Sequence, residues 1–367
     1  MKIEQIEAIP YSIPYVKPLR FASGEVHEAE HVLIRVHTDD GVVGIADAPP
    51  RPFTYGETQE SIIAVMNKIF APAITGLDPL DRGKIHQVLN RTVNNHAAKG
   101  SLDIALWDIV GKATNTSVHQ LLGGYTDSMQ VSHMLGFKPA QQLLEEALSF
   151  RETYGINTFK LKVGRRPLSL DVEACRVLRA GLGADTELYL DANRGWTANE
   201  ALEVLRLTSD LGLTLLEEPC DAKEGVSRRR LVDKSPIPVV GDESVPTAGD
   251  ASRELLSGGC DAISIKTARS GFTEAQQILG LCTGLGVDVV MGNQIDTQIG
   301  TLATVTFGAA HEATSRRAGE LSNFLDMSDD LLADSTVIRD GRIAVRNDPG
   351  VGASIDPAKL ERYRQDI

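Results

Sequence analysis

Thr158-Phe159-Lys160-Leu161-Lys162-Val163 begins a series of short apolar runs that each end in a charged residue. Glu187-Leu188-Tyr189-Leu190-Asp191-Ala192-Asn193 follows, then Leu213-Thr214-Leu215-Leu216-Glu217-Glu218-Pro219. Val239-Val240-Gly241-Asp242-Glu243-Ser244 and Ala262-Ile263-Ser264-Ile265-Lys266-Thr267 complete the set. The charged positions Lys162, Asp191, Glu217, Asp242 and Lys266 are 29, 26, 25 and 24 residues apart. One strand, one helix and two loops take that length. Apolar runs that alternate with helical patterns indicate a parallel sheet. Their repetition at this interval predicts a (β/α) barrel, an α/β fold whose chemistry lies at the C-terminal ends of the strands.

Outward from this core, the barrel strands extend in both directions. Met129-Gln130-Val131-Ser132-His133-Met134 reads as the first, followed by a helix over 139–154 with Gly155 closing it. Helices are expected near 168–182, 197–211, 223–233, 247–257 and 271–284. Val287-Asp288-Val289-Val290-Met291-Gly292-Asn293 reads as another strand, 300–310 as a helix, and Glu320-Leu321-Ser322-Asn323-Phe324 as the last strand. Before the barrel the pattern is different. Residues 1–50 read as strands, with Asp39-Asp40-Gly41 as a hairpin turn. Residues 57–122 read as helices over 58–69, 80–93 and 97–112. Pro and Gly predict that Lys17-Pro18-Leu19-Arg20-Phe21-Ala22-Ser23-Gly24 and Ala48-Pro49-Pro50-Arg51-Pro52-Phe53-Thr54-Tyr55-Gly56 are irregular loops. The division expected is an α+β capping unit over 1–125, a barrel over 126–325, and a tail over 326–367 that is not barrel-like and returns to the cap.

The 367 residues carry a net charge of −13, which argues against a nucleic-acid partner. An anionic substrate must then be held by local cations, not by the overall field. No apolar run approaches the about 18 residues of a membrane span, and the N-terminus has no signal-peptide core. No membrane association and a cytoplasmic location are the expectation. The four cysteines show no Cys-x-x-Cys spacing and read as reduced packing residues.

Asp191, Glu217 and Asp242 end consecutive strands, so a closed barrel brings them together. Three adjacent carboxylates repel unless a cation sits among them. A hard divalent ion, Mg²⁺ or Mn²⁺, suits oxygen ligands and leaves positions open for substrate. Lys160 and Lys162, two apart on one strand, share a face. Lys266 ends a strand about half way round the mouth. One metal between opposed amines suits proton transfer at a carbon α to a carboxylate. His133 ends the first barrel strand and reads as structural, as does His96. No glycine-rich nucleotide fingerprint is present.

These stretches, with Ala98-Lys99-Gly100-Ser101-Leu102-Asp103-Ile104-Ala105-Leu106-Trp107-Asp108, resemble the enolase superfamily in its muconate lactonizing enzyme subgroup. The resemblance covers nearly the whole chain. It implies a modified TIM barrel, (β/α)₇β, with an N-terminal α+β capping domain completed by the C-terminal tail. It implies Asp191, Glu217 and Asp242 as Mg²⁺ or Mn²⁺ ligands, Lys162 and Lys266 as the acid/base pair, and Lys160 as a holder of a substrate carboxylate. A lysine base working with Mg²⁺ is a known pattern of that superfamily, which the residues here repeat. The stretches around Arg20 and Arg51, with Gly319-Glu320-Leu321-Ser322-Asn323-Phe324-Leu325, look like the actinobacterial-type muconate lactonizing enzymes. The substrate implied is the dicarboxylate cis,cis-muconate, closed to muconolactone in catechol breakdown. Arg20, Arg51, Phe53, Tyr55, Asn193, Gln294 and Asp296 are candidate substrate contacts. Relatives imply a homo-oligomer. Racemisation of N-acylamino acids and dipeptide epimerisation stay open as alternatives, although the Asp-x-Asp used by dipeptide epimerases for a substrate amine is not seen. Which lysine donates the proton, and so the syn or anti outcome, is open.

Overall fold

The computed structural model describes residues 1–21 and 24–366, and the side chains of residues 19–25 lie outside the description. A three-stranded antiparallel sheet opens the chain: β1 (Ile3–Phe21), β2 (Gly24–Thr38) and β3 (Val43–Ala48), with β2 in the centre. Of the stretch expected to be a loop at residues 17–24, residues 17–21 and Gly24 are instead the ends of two paired strands. Leu19 pairs with Val26 and Phe21 with Gly24, after a register shift between Pro14 and Leu19. Pro10, Pro14 and Pro18 are tolerated because β1 is an edge strand, where a missing N–H leaves no partner unsatisfied. The 48–56 stretch is irregular as expected, tied by an Arg51–Glu57 bridge.

Against this sheet lies the helix His96–Ala113, buried along nearly all its length. Gly44 makes the contact possible, since a Cβ there would stand 2.7 Å from Ile109 Cγ1. The helix expected over 58–69 divides into Gln59–Val65, a π turn at Met66–Phe70 and Ala71–Ile74. Thr58 and Ser61 form a capping box at its start.

The barrel strands are β4 (Ser128–Leu135), β5 (Thr158–Lys162), β6 (Glu187–Asp191), β7 (Leu216–Glu217), β8 (Val239–Gly241), β9 (Ala262–Ile265), β10 (Asp288–Met291) and β11 (Gly319–Glu320). They hydrogen-bond in the order β10-β9-β8-β7-β6-β5-β4-β11, all parallel. The ring is nearly closed. At the remaining seam packing does the work: a Cβ on Gly319 of β11 would lie 3.2 Å from Met291 Cβ of β10. The sheet is the modified TIM barrel expected, and the antiparallel N-terminal sheet caps it.

Barrel helices differ from expectation as well. The helix after β9 starts at Thr267, not at 271, and Gly271 (φ 62°, ψ −167°) breaks it internally. The segment near 223 begins as a 3-10 turn, and its α-helix is Gly225–Lys234. β12 (Arg342–Ala344) pairs antiparallel with β4 before the chain returns to the cap, where Arg364 bridges Tyr11. Among the described residues, no helix is long and apolar enough to cross a membrane.

Candidate active site

Strand register sets the site. Lys162 pairs with Asp191, and Asp191 with Glu217, so three charged strand ends stand in one row. Asp242 follows the last residue of β8, and Lys266 the last residue of β9. The barrel thus brings together all six of the expected lysines and acids. Asp191, Glu217 and Asp242 are fully buried.

Each acid has a different set of partners. Asp191 Oδ2 is 2.8 Å from Lys160 Nζ and 2.6 Å from Lys162 Nζ, while its Oδ1 accepts from the Asn193 N–H at 2.9 Å. Asp242 Oδ2 accepts from Lys266 Nζ at 2.6 Å, and Oδ1 from Arg269 Nη1 at 2.9 Å. Glu217 is the exception. Lys160 Nζ stands 2.9 Å from its Oε1, but neither carboxylate oxygen has a partner in hydrogen-bonding geometry. Two buried, unsatisfied acceptors on one carboxylate are costly, and each calls for an explanation.

Electrostatics follow the geometry. Burial alone would push the Asp191 carboxyl up, but Lys160 and Lys162 outweigh it and hold it below the usual range. Burial is likewise outweighed at Asp242, by Lys266 and Arg269. Glu217 goes the other way: burial and the neighbouring carboxylates raise it despite Lys160. Burial opposes charge on Lys266, yet Asp242 keeps the amine above the ordinary lysine range. Glu243, buried beside Asp242, is pushed up to about 8.

Do these residues suit a divalent cation? As the side chains stand, no three acid, imidazole or thiol groups among the described residues converge to hold one. Ammonium groups engage Asp191 and Asp242 instead, and Lys160 lies between Asp191 and Glu217. The chemistry of the donor set does fit. Hard carboxylate oxygens come from three adjacent strand ends, and the orphaned Glu217 pair is the kind of acceptor a cation satisfies.

The other candidates are placed unevenly. Asn193, at φ 41°, accepts from Lys162 Nζ at 2.5 Å and donates to Glu243 Oε1 at 3.1 Å, so it joins the cluster. Tyr55 joins it from the cap by accepting from Arg269 Nη1. Arg51 donates to its neighbour Pro50 O at 2.7 Å and leaves Nη2 buried without a partner. Gln294 is buried with an unpartnered Oε1, and Asp296 is tied to Asn293. Phe53 is 76% exposed and is not drawn into the cluster. The Arg20 side chain lies outside the described residues. His133 is structural: it stacks on Phe150 with ring centroids 3.6 Å apart and contacts Ser322 and Glu146.

Sequence reasoning missed Glu243, Glu320 and Arg269 in this cluster. Glu320 Oε1 accepts from Lys160 Nζ at 2.5 Å, and Arg269 grips Asp242. Glu320 stands in a quoted motif, and Arg269 lies two residues past the end of one. Glu320 could have been found as one more charged strand end. Arg269 carries only a weak signal: it lies three residues past Lys266, on the first turn of a helix that packs inward.

The mandelate racemase/muconate lactonizing enzyme N-terminal domain matches residues 6–123, and the enolase C-terminal domain-like family matches residues 142–359. The structure of a muconate lactonizing enzyme from Mycobacterium smegmatis, complexed with muconolactone, is 58% identical. It has a TM-score of 0.98, with 100% of both chains covered. The L-Ala-D/L-Glu epimerase of Bacillus subtilis (strain 168) is 29% identical over 359 residues, 96% of each chain. A dipeptide epimerase from Enterococcus faecalis V583, complexed with Mg and the dipeptide L-Leu-L-Tyr, is 26% identical with a TM-score of 0.91. That match covers 96% of this chain and 100% of the other. Enolase superfamily members bind a divalent metal. The chain belongs to the mandelate racemase/muconate lactonizing enzyme family of the enolase superfamily, and it is an isomerase.

Proposed function

We propose that this isomerase is a muconate cycloisomerase that closes cis,cis-muconate to muconolactone. One observation carries the reading: Lys162 and Lys266 approach the acid row from different strands, each 2.6 Å from its own carboxylate. The 58% identity to a muconate lactonizing enzyme over the full chain supports the choice of substrate.

Asp191, Glu217 and Asp242 would hold Mg²⁺ or Mn²⁺. When bound, such an ion supplies Lewis-acid stabilisation of negative charge on a substrate carboxylate. The chain's own residues do the rest. Lys160, buried and positive, attracts one carboxylate of the substrate. The other carboxylate attacks C4 of the diene. Electron density moves toward the first carboxylate, and the carbon at C5 takes a proton from an ammonium group. Lys162 or Lys266 supplies it, and because the two stand on different sides, the donor sets the syn or anti outcome. Asn193 accepts from Lys162 and so aims its amine. A protonated lysine is the form this step needs, and Asp242 favours it at Lys266.

A second reading has its own support. The Bacillus subtilis L-Ala-D/L-Glu epimerase matches across 96% of the chain. Two opposed lysines also suit racemisation or epimerisation of an N-acyl amino acid or dipeptide, one removing the α-proton and one returning it. One pair of assays separates the readings. Loss of ultraviolet absorbance on adding cis,cis-muconate, abolished by EDTA, is expected for lactonisation. Deuterium exchange at the α-carbon of N-succinylamino acids or dipeptides in D₂O, without muconate turnover, would replace it with the second reading.

A further inference from the structure

We infer that Arg269 is a positioning residue that fixes Asp242 and, through it, Lys266, and that Tyr55 of the capping unit holds Arg269 in that setting. The inference rests on the reading that Asp242 is a metal ligand and Lys266 acts at carbon.

Arg269 is 2% exposed and is anchored on three sides. Nη1 donates to Asp242 Oδ1 at 2.9 Å and to the Tyr55 hydroxyl, and Nη2 donates to Ser264 O at 2.8 Å. Ser264 lies two residues before Lys266 on β9. The guanidinium therefore ties the Lys266 strand to the Asp242 carboxylate, with a planar fork that no single ammonium can copy. With Oδ1 committed to Arg269, Oδ2 is the oxygen left for Lys266 at 2.6 Å.

The cap reaches the same segment a second way. Gly100, on the helix His96–Ala113, approaches so closely that a Cβ would stand 2.9 Å from both Ala268 O and Arg269 C. Asp103, on the same helix, accepts from Phe272 N at 2.6 Å and Thr273 N at 2.9 Å. It caps the helix where Gly271 breaks it. The cap is thus part of what aims the acid and the amine at the barrel mouth.

The test uses two variants of the full chain that keep the local charge, Arg269→Lys and Tyr55→Phe. Electrostatic attraction for a cation is then nearly unchanged, and a change in affinity reports orientation. Binding of Mn²⁺ alone is followed by the free-ion EPR signal, with thermal unfolding alongside. Arg269→Lys is expected to weaken Mn²⁺ roughly tenfold, the low end for an outer-shell partner. Tyr55→Phe is expected to weaken it less. At saturating Mn²⁺ both should lose kcat more than they raise KM. If Arg269→Lys does not fold, Tyr55→Phe alone decides. A wild type that binds Mn²⁺ while the folded variants match it within about twofold, in affinity and in kcat, would overturn the relay and leave the functional reading standing. A wild type that binds no Mn²⁺ would overturn the metal-ligand reading and the relay together.

Discussion

Lys160 and Glu320 meet across the barrel wall, Nζ to Oε1 at 2.5 Å, from the two strands that flank β4. The same ammonium lies 2.8 Å from Asp191 and 2.9 Å from Glu217. A lysine only 1% exposed is tolerable because acids surround it, and those acids are tolerable because it is there.

Replacing Lys160 by Met should therefore expose the repulsion. Three buried carboxylates would lose their shared counter-charge. A loss of about 3–5 kcal/mol is expected, the range for breaking a buried ion pair from one side. Urea unfolding measures it, and millimolar Mg²⁺ should restore part of the stability. Equal stability of the variant and the parent would mean that Lys160 is not the counter-charge of this cluster.

Lys162→Ala and Lys266→Ala separate the roles of the two amines. An acid or base acting at carbon contributes about 10²–10⁴-fold. Each substitution should cut turnover by at least the lower figure, and the proton donor should show the larger loss. Running the parent enzyme in D₂O and locating the deuterium by NMR gives the face of delivery. Near-normal rates in both variants would end the lysine mechanism.

Much of this site was legible in the chain because barrel strands are short and regularly spaced. Asp191, Glu217 and Asp242 each follow a fully buried run, so period alone aligned them. What was not legible depended on contacts distant in sequence. Arg269 lies outside both the strand and the helix expected around it, and only the closing of the cap helix over its backbone shows its place. Glu320 reads as the first residue of the last strand, whereas the strand is two residues long and ends there. The strand pairing of residues 17–21 was hidden by Pro18, since only the sheet order shows that β1 is an edge.

Gly100→Ala tests how closely the cap and the lysine segment are coupled. The added methyl would meet backbone at 2.9 Å, and backbone cannot swing aside as a long side chain can. Overpacking of this kind costs about 1–3 kcal/mol. The strain falls on Ala268 and Arg269, two and three residues after Lys266. A fall in thermal midpoint together with a fall in kcat is expected. A variant with lower stability but parental kcat would show that the segment yields without moving Lys266.

Asp296 gives stability a pH dependence whose sign can be worked out. Burial, then the Asp47 carboxylate, push it from 3.8 up to about 6. Between those values the folded chain binds the proton and the unfolded chain releases it. Stability from this group is therefore fully present below about pH 4 and is lost as pH rises through about 6. At about 1.4 kcal/mol per unit, the penalty at neutral pH is on the order of 3 kcal/mol. Asp296→Asn removes the charge, although one of two contacts, to Asn293 Nδ2 at 3.1 Å or to Gln294 N at 3.3 Å, must weaken. A lost hydrogen bond costs about 1 kcal/mol, so a net gain of about 1–2 kcal/mol is expected near pH 8. Near pH 4 the gain should vanish or reverse. Urea midpoints of parent and variant at the two pH values measure it, and a difference that stays constant with pH would exclude Asp296 as the titrating group.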